Sequence, residues 1–230
     1  MKVLALDTAC AACSAAVLDG DAIVAERFEA MARGQTEALM PMVSAVMEDA
    51  RIAFDALDLV AVTTGPGSFT GVRTGLAAAR GIALGCGAPV AGVTTLEAVA
   101  RRALGRLETR PPVTLVALTT GRAELYVQRF DAGGAPLDAA AAVLPETLAA
   151  ALADGRLFVA GDGAERLREI VGTEAGCSFA KGPGLPHAAE VARIGAARGA
   201  AAARAGGPPQ PVYLYPPRAI PPAAGRGLAP

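Results

Sequence analysis

Two segments of the chain carry residue types and spacings that could serve chemistry. The first is Asp7-Thr8, which closes an apolar run and leads into a turn of small residues. A hairpin there presents backbone N–H groups to a phosphate while the carboxylate holds a metal-bound water. An acidic residue in that place is more often simply a turn residue. The second is Gly65-Pro66-Gly67-Ser68-Phe69-Thr70-Gly71, an apolar run followed by a glycine turn and a helix start, which is a favourable place for an anion. It lacks the Gly-Lys-Ser/Thr ending of a Walker loop, so structural turn and anion site both stand. Asp7, Thr8, Gly65, Gly67 and Ser68 are the candidate nucleotide or phosphate residues.

Other chemistries find little to work with. The single histidine, His187, follows Pro186 near a helix start, and no serine, cysteine or acid stands at a recognisable spacing from it for nucleophilic catalysis. The cysteines lie at 10, 13, 86 and 177. One Cys-x-x-Cys pair without a second pair or a spaced histidine is a weak zinc signal. Its place between two strands, where a redox motif would open a helix, favours small buried thiols. No metal site is expected.

The elements that must position these residues follow from patterning. With 53% apolar residues, only 4% aromatic and no tryptophan, the core must close by tight approach of small side chains. Residues 2–7 and 14–18 are short strands and 22–28 a third, an antiparallel meander. Apolar residues Leu39, Met40, Val43, Val46, Met47 and Ala50 recur at helical steps over 36–50, with Pro41 in the first turns. Then come a strand at 59–64, a helix at 68–85 capped by Ser68 or Thr70, a strand at 89–93 and a helix at 96–107. After Thr109-Arg110-Pro111-Pro112 a second series begins. It has strands near 113–118 and 123–130, an Ala-rich helix after Pro145, a strand at 157–160, a helix at 164–171 and a last helix at about 187–205. The expected fold is α/β with two lobes, 1–108 and 109–205, followed by a Pro-rich tail, 206–230, of which only Pro211 to Tyr215 looks able to dock.

Lys plus Arg is 21 against 22 for Asp plus Glu, with no like-charge run to mark a nucleic-acid or lipid surface. Asp7 interrupts the first apolar stretch, where a secretion signal needs roughly 7 to 15 uninterrupted residues. Arg80 cuts the longest candidate for a membrane span, which needs about 18. A cytoplasmic location is the expectation.

Four blocks resemble the TsaB family, formerly YeaZ: Ala5-Leu6-Asp7-Thr8 with its hairpin, Leu39-Met40-Pro41-Met42, the run Gly65 to Leu76, and Gly92-Val93-Thr94-Thr95-Leu96-Glu97. Beyond residue 100 the resemblance rests on Glu124-Leu125-Tyr126, Gly161-Asp162-Gly163 and Pro211-Val212-Tyr213-Leu214. The sequence departs from the family's pattern at Gln35, at Thr119-Thr120-Gly121 and at Tyr215. The resemblance implies a two-lobed actin, sugar kinase and Hsp70 fold, degenerate relative to the catalytic subunit TsaD. It implies pairing with TsaD, with the ATPase TsaE joining, and a homodimer when TsaD is absent. TsaD transfers threonylcarbamoyl to N6 of adenosine 37 in tRNAs reading codons that start with A, so tRNA is met only through TsaD. No catalytic residue and no cofactor are implied, and Asp7 with the glycine loop becomes a vestigial site.

Two enzyme classes compete with this binding role. A metal-dependent transferase or peptidase would need the His-x-x-x-His pair of the catalytic relative, but those places hold Thr95 and Val99, which cannot replace imidazoles. A small-molecule kinase would use Asp7 and Asp162-Gly163 with a phosphate loop in each lobe. The binding role points instead to the helices 36–50 and 68–85. Their candidate partner-interface residues are Leu39, Met40, Val43, Met47, Phe69, Gly71, Val72, Gly75, Ala78 and Ile82. Methionine suits adaptable contacts, and small residues let helices approach closely.

Overall fold

The computed structural model describes residues 1–153, 157–171, 176–182 and 184–215. Two five-stranded sheets share one strand order. The first is β3(Ala22–Ala30), β2(Ala12–Asp19), β1(Lys2–Asp7), β4(Leu59–Thr63) and β5(Val90–Val93). The second repeats it with β8(Ala141–Val143), β7(Leu125–Asp131), β6(Val113–Thr119), β9(Leu157–Ala160) and β10(Ser178–Phe179). In both, a central strand pairs antiparallel with a hairpin partner and parallel with the next strand: Leu4 faces Val17 and Val60, and Leu115 faces Arg129 and Val159. β1 and β4 are unbroken apolar runs because both of their faces are buried, whereas the edge strand β3 alternates.

Helices α1(Gln35–Ala50) and α2(Phe69–Cys86) cover one face of the first sheet. Leu39, Val43, Val46 and Met47 of α1 and Val72, Leu76 and Ala79 of α2 close on Leu4, Leu6, Val60 and Val62. The other face, Val3, Ala5, Leu59 and Ala61, is covered by α6(Ala188–Arg198) through Ala188, Ala189, Val191 and Ala192. A Cβ on Gly195 would come within 2.8 Å of Ala61. The expected closure by small side chains is found there.

Helix α3(Thr95–Leu104) follows the first sheet in sequence but packs on the second, where Leu96, Val99 and Ala100 meet Val116, Leu118 and Phe158. The other face of the second sheet takes α4(Ala149–Ala153) and α5(Ala164–Val171), with Leu152 and Leu167 fully buried.

Several expectations are corrected. The boundary at 108/109 does not divide the packing: α3 serves the second sheet, and α6 the first. A sheet buried on both faces must be covered on both, and each lobe takes one of its covers from the other half of the chain. The last helix is two, α6 and α7(Ala200–Gly206), broken where Gly199 adopts φ 83° and ψ 154°. β8 and β10 were not anticipated, and the helix after Pro145 is a single 3₁₀ turn leading into the five-residue α4. The tail docks over 211–215 as expected but also at Pro209, whose carbonyl accepts from Arg80 at 2.6 Å, and its remainder, 216–230, lies outside the described residues. Among the described residues no helix is long and apolar enough to cross a membrane.

Candidate functional site

Asp7 ends β1 and Thr63 ends β4, while Thr119 ends β6 and Asp162 follows β9, and Cys10 feels the charge of both acids. Asp7 is fully buried. Its Oδ1 accepts from Thr63 Oγ1 at 2.7 Å and from the Ala9 N–H at 3.1 Å, while Oδ2 is buried with no partner. Burial raises its pKa to about 6, against the lowering effect of those two hydrogen bonds. Asp162 enters from the second lobe, accepting from the Thr119 N–H at 2.9 Å and from Thr119 Oγ1 at 2.6 Å, and burial raises its pKa as well. The Cys10 thiol is pushed up by burial and by the charges of both acids. Cys13 is pushed to about 12 by burial, Asp7 and Glu29. Such thiols stay protonated at neutral pH and are poor nucleophiles and ligands. All four cysteines are free; Cys13 is buried as expected, while Cys10, Cys86 and Cys177 are only partly so.

The glycine loop lies against the β1–β2 turn. Ser68 caps α2 by accepting from the Gly71 N–H at 3.3 Å, and the Ser68 N–H donates to Ala9 O at 2.7 Å. Thr8 Oγ1 donates to Gly71 O at 2.7 Å. A Cβ on Gly67 would sit 2.2 Å from Ala9 O, on Gly71 2.0 Å from Thr8 O, and on Gly75 2.8 Å from Thr8 Oγ1. At Gly67 and Gly71 backbone meets backbone, and at Gly75 the backbone meets the Thr8 hydroxyl. Gly65 is the one in a left-handed conformation, φ 94°, so at Gly67 the constraint is close approach and not backbone conformation.

The block from Gly92 to Glu97 is a helix start. Thr94 accepts from the Glu97 N–H at 3.1 Å, and Glu97 accepts from the Thr94 N–H at 2.9 Å, a capping box. Glu97 also pairs with Arg198 of α6 at 2.5 Å. Thr95 is fully buried with its hydroxyl unpartnered, and Val99 is a core residue. Among the described residues no group of three or more His, Cys, Asp or Glu side chains could hold a metal.

The ten interface candidates divide. Leu39, Val43, Met47, Gly71, Val72 and Gly75 are buried within this chain, so periodicity picked the inward stripe of each helix. Met40 is exposed, and Ala78 and Ile82 are half-buried against the core. Phe69 is also exposed. The outward side of α2 presents Arg73, Ala77, Gly81 and Leu84, the last 87% exposed. Sequence reading passed over these residues, because an isolated Leu among small residues carries no periodic signal.

The docked tail joins this surface to the site around Asp7. The Val212 N–H donates to Thr64 O at 2.8 Å, and Tyr213 stacks on Phe69 with centroids 5.6 Å apart. The Tyr213 hydroxyl accepts from Arg73 Nε at 2.8 Å, and Arg73 lies 3.7 Å over Phe69. Tyr215 reaches the second lobe, against Tyr126 and beneath Arg122. Gln35, one of the departures from the family's pattern, donates to Met31 O at 3.0 Å and to Cys10 O at 3.3 Å, tying α1 to the β1–β2 turn.

Paired sheets of this order, crossed by α3 and α6, define the class of two-lobed actin, sugar kinase and Hsp70-like proteins. Component A of (R)-2-hydroxyglutaryl-CoA dehydratase from Acidaminococcus fermentans shares the fold, with a TM-score of 0.53 at 12% identity over 89% of this chain and 99% of that one. The family model for TsaD, tRNA N6-adenosine threonylcarbamoyltransferase, matches residues 24–158. A Pseudomonas aeruginosa structure, described as an uncharacterized protein with similarity to peptidase YeaZ, superposes with a TM-score of 0.77 at 30% identity. That match covers 93% of this chain and 99% of that one. The tRNA threonylcarbamoyladenosine biosynthesis protein TsaB of Escherichia coli is 41% identical over 103 residues, 45% of this chain and 44% of that protein. The chain belongs to the TsaB (YeaZ) branch of the TsaD family. Its match thus spans under half the length of the E. coli relative.

Proposed function

We propose that the chain acts in forming N6-threonylcarbamoyladenosine at position 37 of tRNAs reading codons that start with A, as a non-catalytic partner of TsaD. The observation that carries this reading is the state of the site. In the glycine loop the Ser68 N–H is given to Ala9 O and the Gly71 N–H to Ser68 Oγ, Thr95 and Val99 stand where the catalytic relative has its histidines, and the Cys10 thiol is pushed up by burial and by the nearby Asp7 and Asp162. A lobe pair with this site is better suited to binding than to metal-assisted or phosphoryl transfer.

The partner surface in this reading is the outward side of α1 and α2: Met40, the half-buried seam of Ala78 and Ile82, and Phe69, Ala77, Gly81 and Leu84. The buried six support it from beneath. TsaD docks there as a four-helix arrangement, and a second copy of this chain takes its place when TsaD is absent. TsaE joins the pair, and tRNA is held through TsaD.

Gly81→Arg tests this. A Cβ at Gly81 meets nothing within 4 Å, so the monomer should keep its melting temperature. Binding to TsaD, followed on a sizing column and by calorimetry, should fall at least about thirtyfold, the cost of roughly 2 kcal/mol at a central interface position. Reconstituted tRNA modification should fall with it. A folded variant that binds normally and restores modification removes this surface. Modification by TsaD and TsaE without this chain would refute the partner role.

A further inference from the structure

A cavity of about 650 Å³ opens between the edge strands of the two sheets, β3 and β10, with α3 as one wall. It is not the site described above: Asp7, Thr8, Cys10, Asp162 and the glycine loop take no part in its lining. Phe28, Phe158 and Phe179 line it, three of the six phenylalanines in a chain that is only 4% aromatic. Phe28 is held flat by His187, ring on ring at 3.9 Å and 3°, and His187 Nδ1 lies 3.1 Å from Glu26 Oε1.

The charged lining is Arg102, Arg106 and Lys181. Among the described residues, none of these three side chains has a hydrogen-bond or ion-pair partner, whereas neighbouring Arg101 and Arg193 both pair with Glu190. Arg106 lies just past the end of α3, near enough for its charge to oppose that of Arg102. Burial and Arg106 both weaken the Arg102 charge, offset in part by Glu26 and Glu190. A partly buried cation with a like neighbour, and with Glu26 and Glu190 acting on it only at a distance and through no direct ion pair, gains from an anion that arrives between the two arginines. The volume falls within the 300–1,000 Å³ usual for small-molecule sites, which are apolar with a few convergent polar groups.

We propose that this cavity binds a small organic anion bearing a flat ring, its ring among Phe28, Phe158 and Phe179 and its phosphate, sulfonate or carboxylate at Arg102, Arg106 and Lys181. The site is independent of the partner surface, which lies on α1 and α2.

Isothermal titration of the full chain alone, with no TsaD present, tests it. The probes are 1-anilinonaphthalene-8-sulfonate, the four ribonucleoside monophosphates and inorganic phosphate. The expected result is one site per chain for the sulfonate probe or at least one nucleotide, with inorganic phosphate at least tenfold weaker. Arg102→Met with Arg106→Met should weaken binding at least tenfold, and so should Lys181→Met at an exposed position should the double variant not fold. Arg80→Met, on α2, should change nothing. Absence of binding by every ringed probe, or binding indifferent to Arg102, Arg106 and Lys181, overturns the proposal, as does phosphate binding as tightly as the ringed anions. Because TsaD is absent from the titration, failure here leaves the partner role standing, and loss of TsaD binding by Gly81→Arg is silent about the cavity.

Discussion

Asp7→Asn separates the electrostatic part of the site from its packing. Asp7 is fully buried, its Oδ2 has no partner, and its pKa is raised from an ordinary 3.8 to about 6. A carboxyl whose folded pKa lies above its unfolded value binds its proton more tightly in the native state. Stability is therefore lost as pH rises through the unfolded value, and the loss is complete above the folded one. Two pKa units correspond to about 3 kcal/mol, of which about 2 kcal/mol falls between pH 4 and pH 7. The asparagine variant keeps an acceptor for Thr63 and the Ala9 N–H but does not titrate. Burial of its new amide donor costs about 1–3 kcal/mol at every pH. Urea unfolding of both proteins at half-unit intervals from pH 4 to pH 8 is the assay. The difference between the two curves should shift by about 2 kcal/mol in favour of the variant as pH rises, with the change centred near pH 5. Asp162 and every other acid titrate alike in both proteins and cancel. Parallel curves would refute the reasoning, because Asp7 would then titrate alike in the native and unfolded states.

Two further outcomes follow from the geometry. Gly67→Val places a Cβ where Ala9 O stands, 2.2 Å away, and should lower stability by about 1–3 kcal/mol in urea unfolding; a change below about 0.5 kcal/mol would show that the loop yields freely. Tyr213→Ala removes the partner of Arg73 and the stack on Phe69, at a cost of about 1 kcal/mol. The Val212 amide, bonded to Thr64 O, should then exchange with solvent faster, and unchanged protection would mean that the tail docks without Tyr213.

How far the sequence could be read depended on what each element packs against. β1 and β4 were legible because a strand buried on both faces must be an unbroken apolar run, and α5 because its apolar residues recur at helical steps. The break between α6 and α7 was not, since one glycine in an alanine-rich stretch leaves the periodicity intact, and only its conformation shows the end. Nor could periodicity tell which sheet α6 covers: it marks an apolar face but not the sheet that face meets. The same limit misled the reading of α1 and α2. The strongest apolar stripe is the one the chain uses for itself, so Leu39, Val43 and Val72 went to the core, and the outward residues left no pattern to find.

The glycine loop carries the sharper lesson. Its match to a phosphate-binding arrangement was one of residue type: glycines after a strand, before a helix. Residue type records only that a Cβ is excluded, and a phosphate is one of two things that exclude it. In front of Gly71 and Gly67 stand the carbonyls of Thr8 and Ala9, which exclude a Cβ by themselves. What separates the two cases is the state of the N–H groups, because a cradle needs open donors. The Ser68 N–H is given to Ala9 O and the Gly71 N–H to Ser68 Oγ. One of these donors goes to the β1–β2 turn and the other to the helix cap, and the start of α2, with Phe69 and Arg73, lies against the docked tail.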